Sequence, residues 1–539
     1  MYSNETHVTK DYLVSMPDGV QLYTQVFLPA AEGSFPVIIF RNPYTESATA
    51  ELGHATFEGF EKRNYLNAGY ALIYQHCRGT GRSEGDFIPF VNEHDDGLAF
   101  MDWIRQQPFY NGSLYLIGGS YLSLVHLQIL SDCADDVKGA LLIVMHNDPY
   151  RFFYENGFLR LSLVRWFTDM YKKKSLAAYS AAHFSMPDSL KTRPFISYSS
   201  RVFGEDTGLF TEILSHPRAD DPFWTSAHGF STLTNAARNC RIPILFMAGW
   251  HDIFANGMCR MWDELPDAAR SRSALVAGPW GHAVEVFPNC EYPLPDGNKP
   301  ADAELMWFDH LTKGTDFSFI KPGHITQYEF NGQGWKTTAS LEGSRQRIFY
   351  FGADQMLIEH APASGSFTRR YDPENPASFP GSNHNLLDSV ICRQPAPDFR
   401  EDVVTFISEP VDEEWILQGG MEANLRVMSD CEDTAFYIRV SAVIGDDTWF
   451  LRDSITSIRY EHPDTPYIPG TPVDLSIRLT PISFRLKPGN RLRVDISFSN
   501  FPAFLPHTNT AGPWAEQTES VAANNTMFCE GSFLQIGEA

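Results

Sequence analysis

At 539 residues the chain is too long for one hydrophobic core, and its length implies two to four domains. Its hydrophobic fraction of 43% and charged fraction of 20% are those of an ordinary globular protein, with Phe 40, Tyr 22 and Trp 11 supplying aromatic surface for cores and pockets. A net charge of −24 argues against nucleic acid as a partner, and no stretch approaches the roughly 20 apolar residues of a membrane span, so neither partner is expected.

The N-terminal MYSNETHVTKDYL has neither a basic start nor an apolar core, which argues against a signal peptide and for a cytoplasmic protein. Residues 11 to 28 alternate as two strands about the turn Met16-Pro17-Asp18-Gly19. Phe35 to Phe40 is an unbroken apolar run, the mark of a strand covered on both faces, and it delivers Tyr44 into the loop at its C-terminal end. Tyr70 to Gln75 is the next such strand. The glycine-rich CRGTGRSEGDF after it lacks the Gly-Lys-Ser/Thr ending of a phosphate cradle, so Arg78, Arg82 and Glu84 are read as structural.

Asn92 to Gln107 has the periodicity of an amphipathic helix. Leu114 to Ile117 is a short buried strand, followed by Gly118, Gly119, Ser120 and a helix-like run to Leu130. Gly139 to Met145 is one more strand. Alternating strands and helices specify a mainly parallel α/β sheet covered on both faces. From Asn147 to Asn239 the texture changes to aromatic and arginine residues at helical spacing, read as a helical cap insertion. Sheet texture returns at Ile242 to Ala248 and Ser273 to Ala277. Beyond Gly314 come short alternating segments, such as Met421 to Met428, Thr434 to Val443 and Arg491 to Phe498, which suit a β-sandwich or jelly roll. The expected division is residues 1–146 and 241–315 for the α/β domain, 147–240 for the cap and 316–539 for the all-β domain. The eight cysteines are scattered without metal-ligand spacing and read as free thiols; no cofactor or metal is expected.

A serine on a sharp strand-to-helix turn presents its hydroxyl while small neighbours let strand and helix nearly touch. Gly118 and Gly119 meet that need upstream of Ser120, but Leu122 breaks the G-x-S-x-G pattern downstream, so a plain glycine turn is the competing reading. The other catalytic residue types decide between them. Asp252 follows the strand Ile242 to Ala248, and His282 follows Ser273 to Ala277. Ser120, Asp252 and His282 thus arrive in the Ser–Asp–His order of α/β-hydrolase triads, each in a loop after a strand. His251 is a rival base but adjoins Asp252 on one loop. For the oxyanion, the backbone N–H of Tyr121 is the first donor and the Tyr44 hydroxyl the candidate second.

With those residues in place, the sequence resembles the cocaine esterase / X-prolyl dipeptidyl-peptidase family of α/β-hydrolases, which includes α-amino acid ester hydrolases and glutaryl-cephalosporin acylases. The resemblance runs through MPDGVQLYTQVFLP, RNPY, CRGTGRSEG, G-x-S-Y at Gly118 to Tyr121, GWHD at Asp252 and GPWGH at His282. It continues through REDVVTFISEPV and PGNRLRVDISFSNFPAFLPHTNT. It implies Ser120 as nucleophile, Asp252 and His282 as its partners, and Tyr44 with Tyr121 as the oxyanion hole, on a hydrolase domain with helical cap and jelly roll. Two positions depart from the family pattern: Ser123 stands where it has glycine, and His76 where it has aspartate.

The expected function is a serine hydrolase cleaving a small-molecule carboxylic ester or amide through an acyl-enzyme, with a homo-oligomer left open. The alternatives are an X-prolyl or aminoacyl peptidase or an acyltransferase on the same triad, and then a non-catalytic scaffold, disfavoured because all three triad residues are present. Trp166, Phe167 and Phe254 are candidate pocket walls. Glu155 and Asp169 are the carboxylates that a peptidase would need for a substrate amino group.

Overall fold

The computed structural model describes residues 7–44, 62–171, 192–286, 290–300, 302–386 and 390–539. Its first sheet has ten strands: β1 (Val8–Ser15), β2 (Gln21–Leu28), β3 (Phe35–Asn42), β4 (Ala71–His76), β5 (Tyr110–Gly119), β6 (Val137–Ile143), β7 (Ile244–Gly249), β8 (Ala274–Gly278), β9 (Ile325–Glu329) and β10 (Gly334–Thr338). They lie in the order β1-β2-β4-β3-β5-β6-β7-β8-β9-β10. From β4 to β9 every neighbouring pair is parallel, as the alternation of strands and helices predicts. The β1–β2 hairpin closes where expected, with Ser15 opposite Gln21 and Gly19 at φ +88. Val37, Ile38, Ile39 and Phe40 are all buried, which explains the unbroken apolar run of β3: helices cover both its faces.

Three helices set the positions of site residues. α1 (Glu93–Arg105) carries Glu93, Asp95 and Asp96 in its first turn, where acidic side chains suit the helix dipole. α2 (Tyr121–Leu127) starts directly on Ser120. α3 (Leu161–Met170) lies in the insertion between β6 and β7. That insertion is helical where it is described, apart from a two-stranded hairpin of Tyr154–Glu155 and Phe158–Leu159. Part of the expected cap, residues 172–191, lies outside the described residues.

The expected start of the last domain at residue 316 falls before two strands that still pair with the first sheet. β9 and β10, between 325 and 338, close the first sheet, because β9 pairs in parallel with β8. The alternating pattern of these strands reads like that of the all-β part, and only the pairing partner tells them apart. The second sheet begins at Arg345–Phe351, also has ten strands on its main path and branch, and is almost wholly antiparallel. Its long members Trp415–Ser429, Val473–Leu486 and Ala523–Glu538 pair with one another. The two sheets meet at Phe330, whose backbone bridges Phe484. Cap and all-β domain are joined by buried charge: Glu155 contacts Arg160 at 2.8 Å, and Arg160 reaches His384 at 3.4 Å. No described helix is long and apolar enough to cross a membrane.

Candidate active site

Ser120 is the first residue beyond β5 and caps α2 with φ 55 and ψ −128, a conformation that a residue with a Cβ adopts only under constraint. The constraint is visible in its neighbours. A Cβ added at Gly118 would come within 2.1 Å of the Leu122 carbonyl oxygen, so glycine is obligatory there. The Ser120 N–H donates to the Ile143 carbonyl at 2.9 Å, while its own carbonyl accepts from the N–H groups of Ser123 and Leu124. The elbow that the sequence suggested is therefore present despite Leu122, which lies buried in the helix.

Ser123 answers the question raised by its departure from glycine. Its hydroxyl accepts from the Ile143 N–H at 2.9 Å and donates to the Gly118 carbonyl, tying strands β5 and β6 to the first turn of α2. The extra atoms fill a polar niche instead of displacing the helix.

The three residues singled out from separate loops converge. His282 Nε2 lies 2.9 Å from Ser120 Oγ, and His282 Nδ1 lies 2.8 Å from Asp252 Oδ1. Asp252 is 1% exposed, and its second carboxylate oxygen has no hydrogen-bond partner among the described residues. The rival base His251 points the other way. It is buried edge-on against Phe330 and tilted against Phe450, and both ring nitrogens lack partners among the described residues. Burial, with the Arg452 cation nearby, holds its pKa well below the ordinary histidine value.

Tyr44 emerges from the end of β3 with its N–H donated to Asn42 Oδ1 at 2.8 Å. Its hydroxyl accepts from the Trp166 indole N–H at 3.0 Å, and the Ser120 side chain and the Tyr121 backbone N–H also act on it. Burial pushes the phenol up to about 12, so it remains a neutral donor at ordinary pH. The Tyr121 side chain serves elsewhere, accepting the Phe90 N–H at 2.8 Å and facing Glu93.

Around Ser120 and His282 the pocket walls are Phe90, Met145, Phe152, Leu163, Trp166 and Phe254, with Leu124 and Leu386 completing them. Phe254 also stands edge-on to the His282 ring at 5.6 Å. Trp166 and Phe254 were legible candidates. Phe167 is not a wall: it is fully buried and stacks on Phe210 at 4.9 Å. Sequence reading missed Phe90, Phe152 and Leu386, which come from three distant segments and carry no local signal of shared purpose.

Neither peptidase carboxylate faces the pocket. Glu155 is buried between Arg160 and Arg151, and Asp169 sits beside Arg165 at 3.8 Å on the half-exposed side of α3. His76 has a structural task, its Nδ1 accepting the Arg82 N–H at 3.2 Å at the mouth of the glycine-rich loop. In that loop Arg78 joins Asp96 and Asp18, Arg82 covers the Tyr23 ring, and Glu84 accepts the Gln21 N–H.

Comparison with known proteins agrees with this architecture. Residues 18–284 match the X-Pro dipeptidyl-peptidase (S15 family) model, and residues 321–533 match the X-Pro dipeptidyl-peptidase C-terminal non-catalytic domain. Cocaine esterase of Rhodococcus sp. is 26% identical, over 97% of this chain and 96% of the relative. A putative serine esterase of Mycobacterium tuberculosis is 22% identical, over 90% of this chain and 89% of the relative. Among solved structures, an α-amino acid ester hydrolase superposes with a TM-score of 0.80 at 17% identity, covering 99% of this chain and 97% of that one. An aminopeptidase from a Thaumarchaeota archaeon gives 0.79 at 17% identity, covering 99% and 96%. The chain is a serine hydrolase and belongs to the cocaine esterase / X-prolyl dipeptidyl-peptidase family of α/β-hydrolases.

Proposed function

We propose that this protein hydrolyses carboxylic esters with a compact apolar or aromatic acyl group, using Ser120, His282 and Asp252 as its triad. The observation that carries the proposal is the composition of the pocket. Apart from Ser120, His282 and Tyr121, its walls are hydrophobic, and no carboxylate or cation is among them in the described residues. An apolar acyl group gains roughly 25 cal/mol per Å² buried there, whereas an ammonium group would lose its hydration without a counter-charge.

In the mechanism Ser120 Oγ attacks the ester carbonyl as its proton passes to His282 Nε2, 2.9 Å away. Asp252 holds Nδ1–H, keeping Nε2 free as base and stabilising the imidazolium once it forms. The Tyr44 hydroxyl and the Tyr121 N–H are the donors assigned to the carbonyl oxygen as it becomes an oxyanion. The imidazolium then protonates the leaving alkoxide. Water, activated by the same imidazole, resolves the acyl-enzyme.

The test is fluorophosphonate labelling of the wild type beside Ser120→Ala, followed by a panel of p-nitrophenyl esters and aminoacyl or X-prolyl anilides. Labelling lost in Ser120→Ala, with kcat/KM highest for neutral apolar acyl esters, is the expected outcome. A preference for substrates bearing a free α-amino group would refute the acyl-group assignment and favour the peptidase reading.

A further inference from the structure

The Tyr44 hydroxyl has a partner from outside the hydrolase sheet. Trp166 sits on α3 of the cap, half-buried, with its ring stacked on that of Tyr121 at 5.3 Å and its indole N–H donated to the Tyr44 oxygen at 3.0 Å. A phenolic oxygen offers one proton and two acceptor positions, whereas an indole N–H can only donate. With an acceptor position of Tyr44 occupied by Trp166, the Tyr44 proton cannot point towards the cap. Its other near neighbours are the Ser120 side chain and the Tyr121 N–H, on the reacting side. The Tyr121 N–H is itself a donor, so the Ser120 oxygen is the acceptor available to the Tyr44 proton before the ester binds.

We propose that Trp166 is a positioning residue that holds the Tyr44 proton towards the oxyanion and, by donating to the same oxygen, strengthens Tyr44 as a donor. This rests on the reading of Tyr44 as an oxyanion donor. Hydrogen bonds that share an atom polarise one another, so a phenol that accepts from an indole donates more strongly than one that does not. The orientation matters more. A free phenol rotor would have to be turned during the reaction, whereas a held one is already aimed, and preorganisation of this kind is what makes an oxyanion hole effective. The arrangement also makes the oxyanion hole depend on the cap: the helix that walls the pocket supplies the bond that aims the catalytic hydroxyl.

A merely steric role for Trp166, as a pocket wall, predicts different kinetics, and a double-mutant cycle separates the two. Tyr44→Phe should lower kcat by about 10²–10³, as loss of one oxyanion donor does. Trp166→Phe should lower kcat by about tenfold, a part of that donor's full effect, because the hydroxyl remains but is no longer aimed. In the Tyr44→Phe background the same Trp166→Phe change should alter kcat less than about twofold, since no proton is left to orient. Replacement of Trp166 by β-(3-benzothienyl)alanine, which keeps the ring shape but has sulfur in place of N–H, should reproduce the loss in kcat with KM unchanged. This variant also preserves packing if the phenylalanine variant folds poorly. An equal loss from Trp166→Phe with and without the Tyr44 hydroxyl, or full kcat in the benzothienyl variant, overturns the positioning role. Near wild-type kcat in Tyr44→Phe overturns the oxyanion-donor reading itself and is read from that single variant.

Discussion

Replacement of Asp252 by asparagine tests the triad with almost no change in shape, and the structure sets the direction of the outcome. The amide introduced by Asp252→Asn has two orientations. In one, its carbonyl takes the place of Oδ1, 2.8 Å from His282 Nδ1, and its NH₂ lies where Oδ2 now has no described partner. That leaves a buried donor pair unsatisfied, at a cost of about 1–3 kcal/mol. In the other, the carbonyl takes the already unpartnered place, adding no new penalty, and the NH₂ faces Nδ1. The second orientation is therefore preferred, and it forces Nδ1 to accept. The proton then resides on Nε2, the atom that must take the Ser120 proton 2.9 Å away. A base in the wrong tautomer costs about 10⁴ in kcat, or roughly 5 kcal/mol of barrier. KM for an apolar p-nitrophenyl ester should stay within about threefold, because Asp252 is not among the pocket walls. The assay is steady-state hydrolysis of that ester, with the rate of fluorophosphonate labelling as a check that falls in parallel. A kcat loss below about thirtyfold would refute the reasoning, since it would mean that Asp252 does not control which nitrogen of His282 carries the proton.

Three further outcomes follow from buried groups. Ser123→Ala removes the acceptor of the Ile143 N–H at 2.9 Å, and the orphaned donor should cost about 1–3 kcal/mol of stability in urea melts, with slower phosphonate labelling as the elbow loosens. Glu155→Gln takes the carboxylate from Arg160, 2.8 Å away and 3% exposed, and should destabilise by about 3–5 kcal/mol in the same melts while leaving the triad residues untouched. Stability should fall as the pH drops below about 6.5, in part because the neutral, buried His251 binds a proton only on unfolding. His251→Phe, between Phe330 and Phe450, should flatten that slope by up to about 1.4 kcal/mol per pH unit; an unchanged slope would show that His251 is already protonated in the fold.

Much of the frame was legible because it is written in local chemistry. The run from Phe35 to Phe40 needs cover on both faces, and the glycines before Ser120 need a close helix. The loops carrying Asp252 and His282 follow strands β7 and β8, which lie side by side in parallel. Parallel neighbours present their following loops at one edge of the sheet, which is why residues 30 apart in sequence meet at 2.8 Å. What local chemistry does not encode is which partner a segment finds. β9 and β10 alternate like the strands of the all-β domain, and only the pairing of Ile325 with Leu275 assigns them to the first sheet. Trp166 and Phe167 are neighbours of the same chemical kind, yet one faces the pocket and the other stacks on Phe210, a difference set by how the cap docks.

The same limit explains Ser123. The family resemblance puts glycine where this chain has Ser123, and a side chain added at a tight elbow argues for a cost in packing. Whether the cost is incurred depends on what the hydroxyl meets. It meets the N–H of Ile143, twenty residues further along and at the end of the adjacent strand, together with the Gly118 carbonyl. Ile143 also supplies the carbonyl that holds the Ser120 N–H. One strand end thus grips the elbow at two points, and a residue that looks like a defect in the motif becomes a second tie between the nucleophile's turn and the sheet. A hydroxyl is favourable there only because a donor and an acceptor are both in reach.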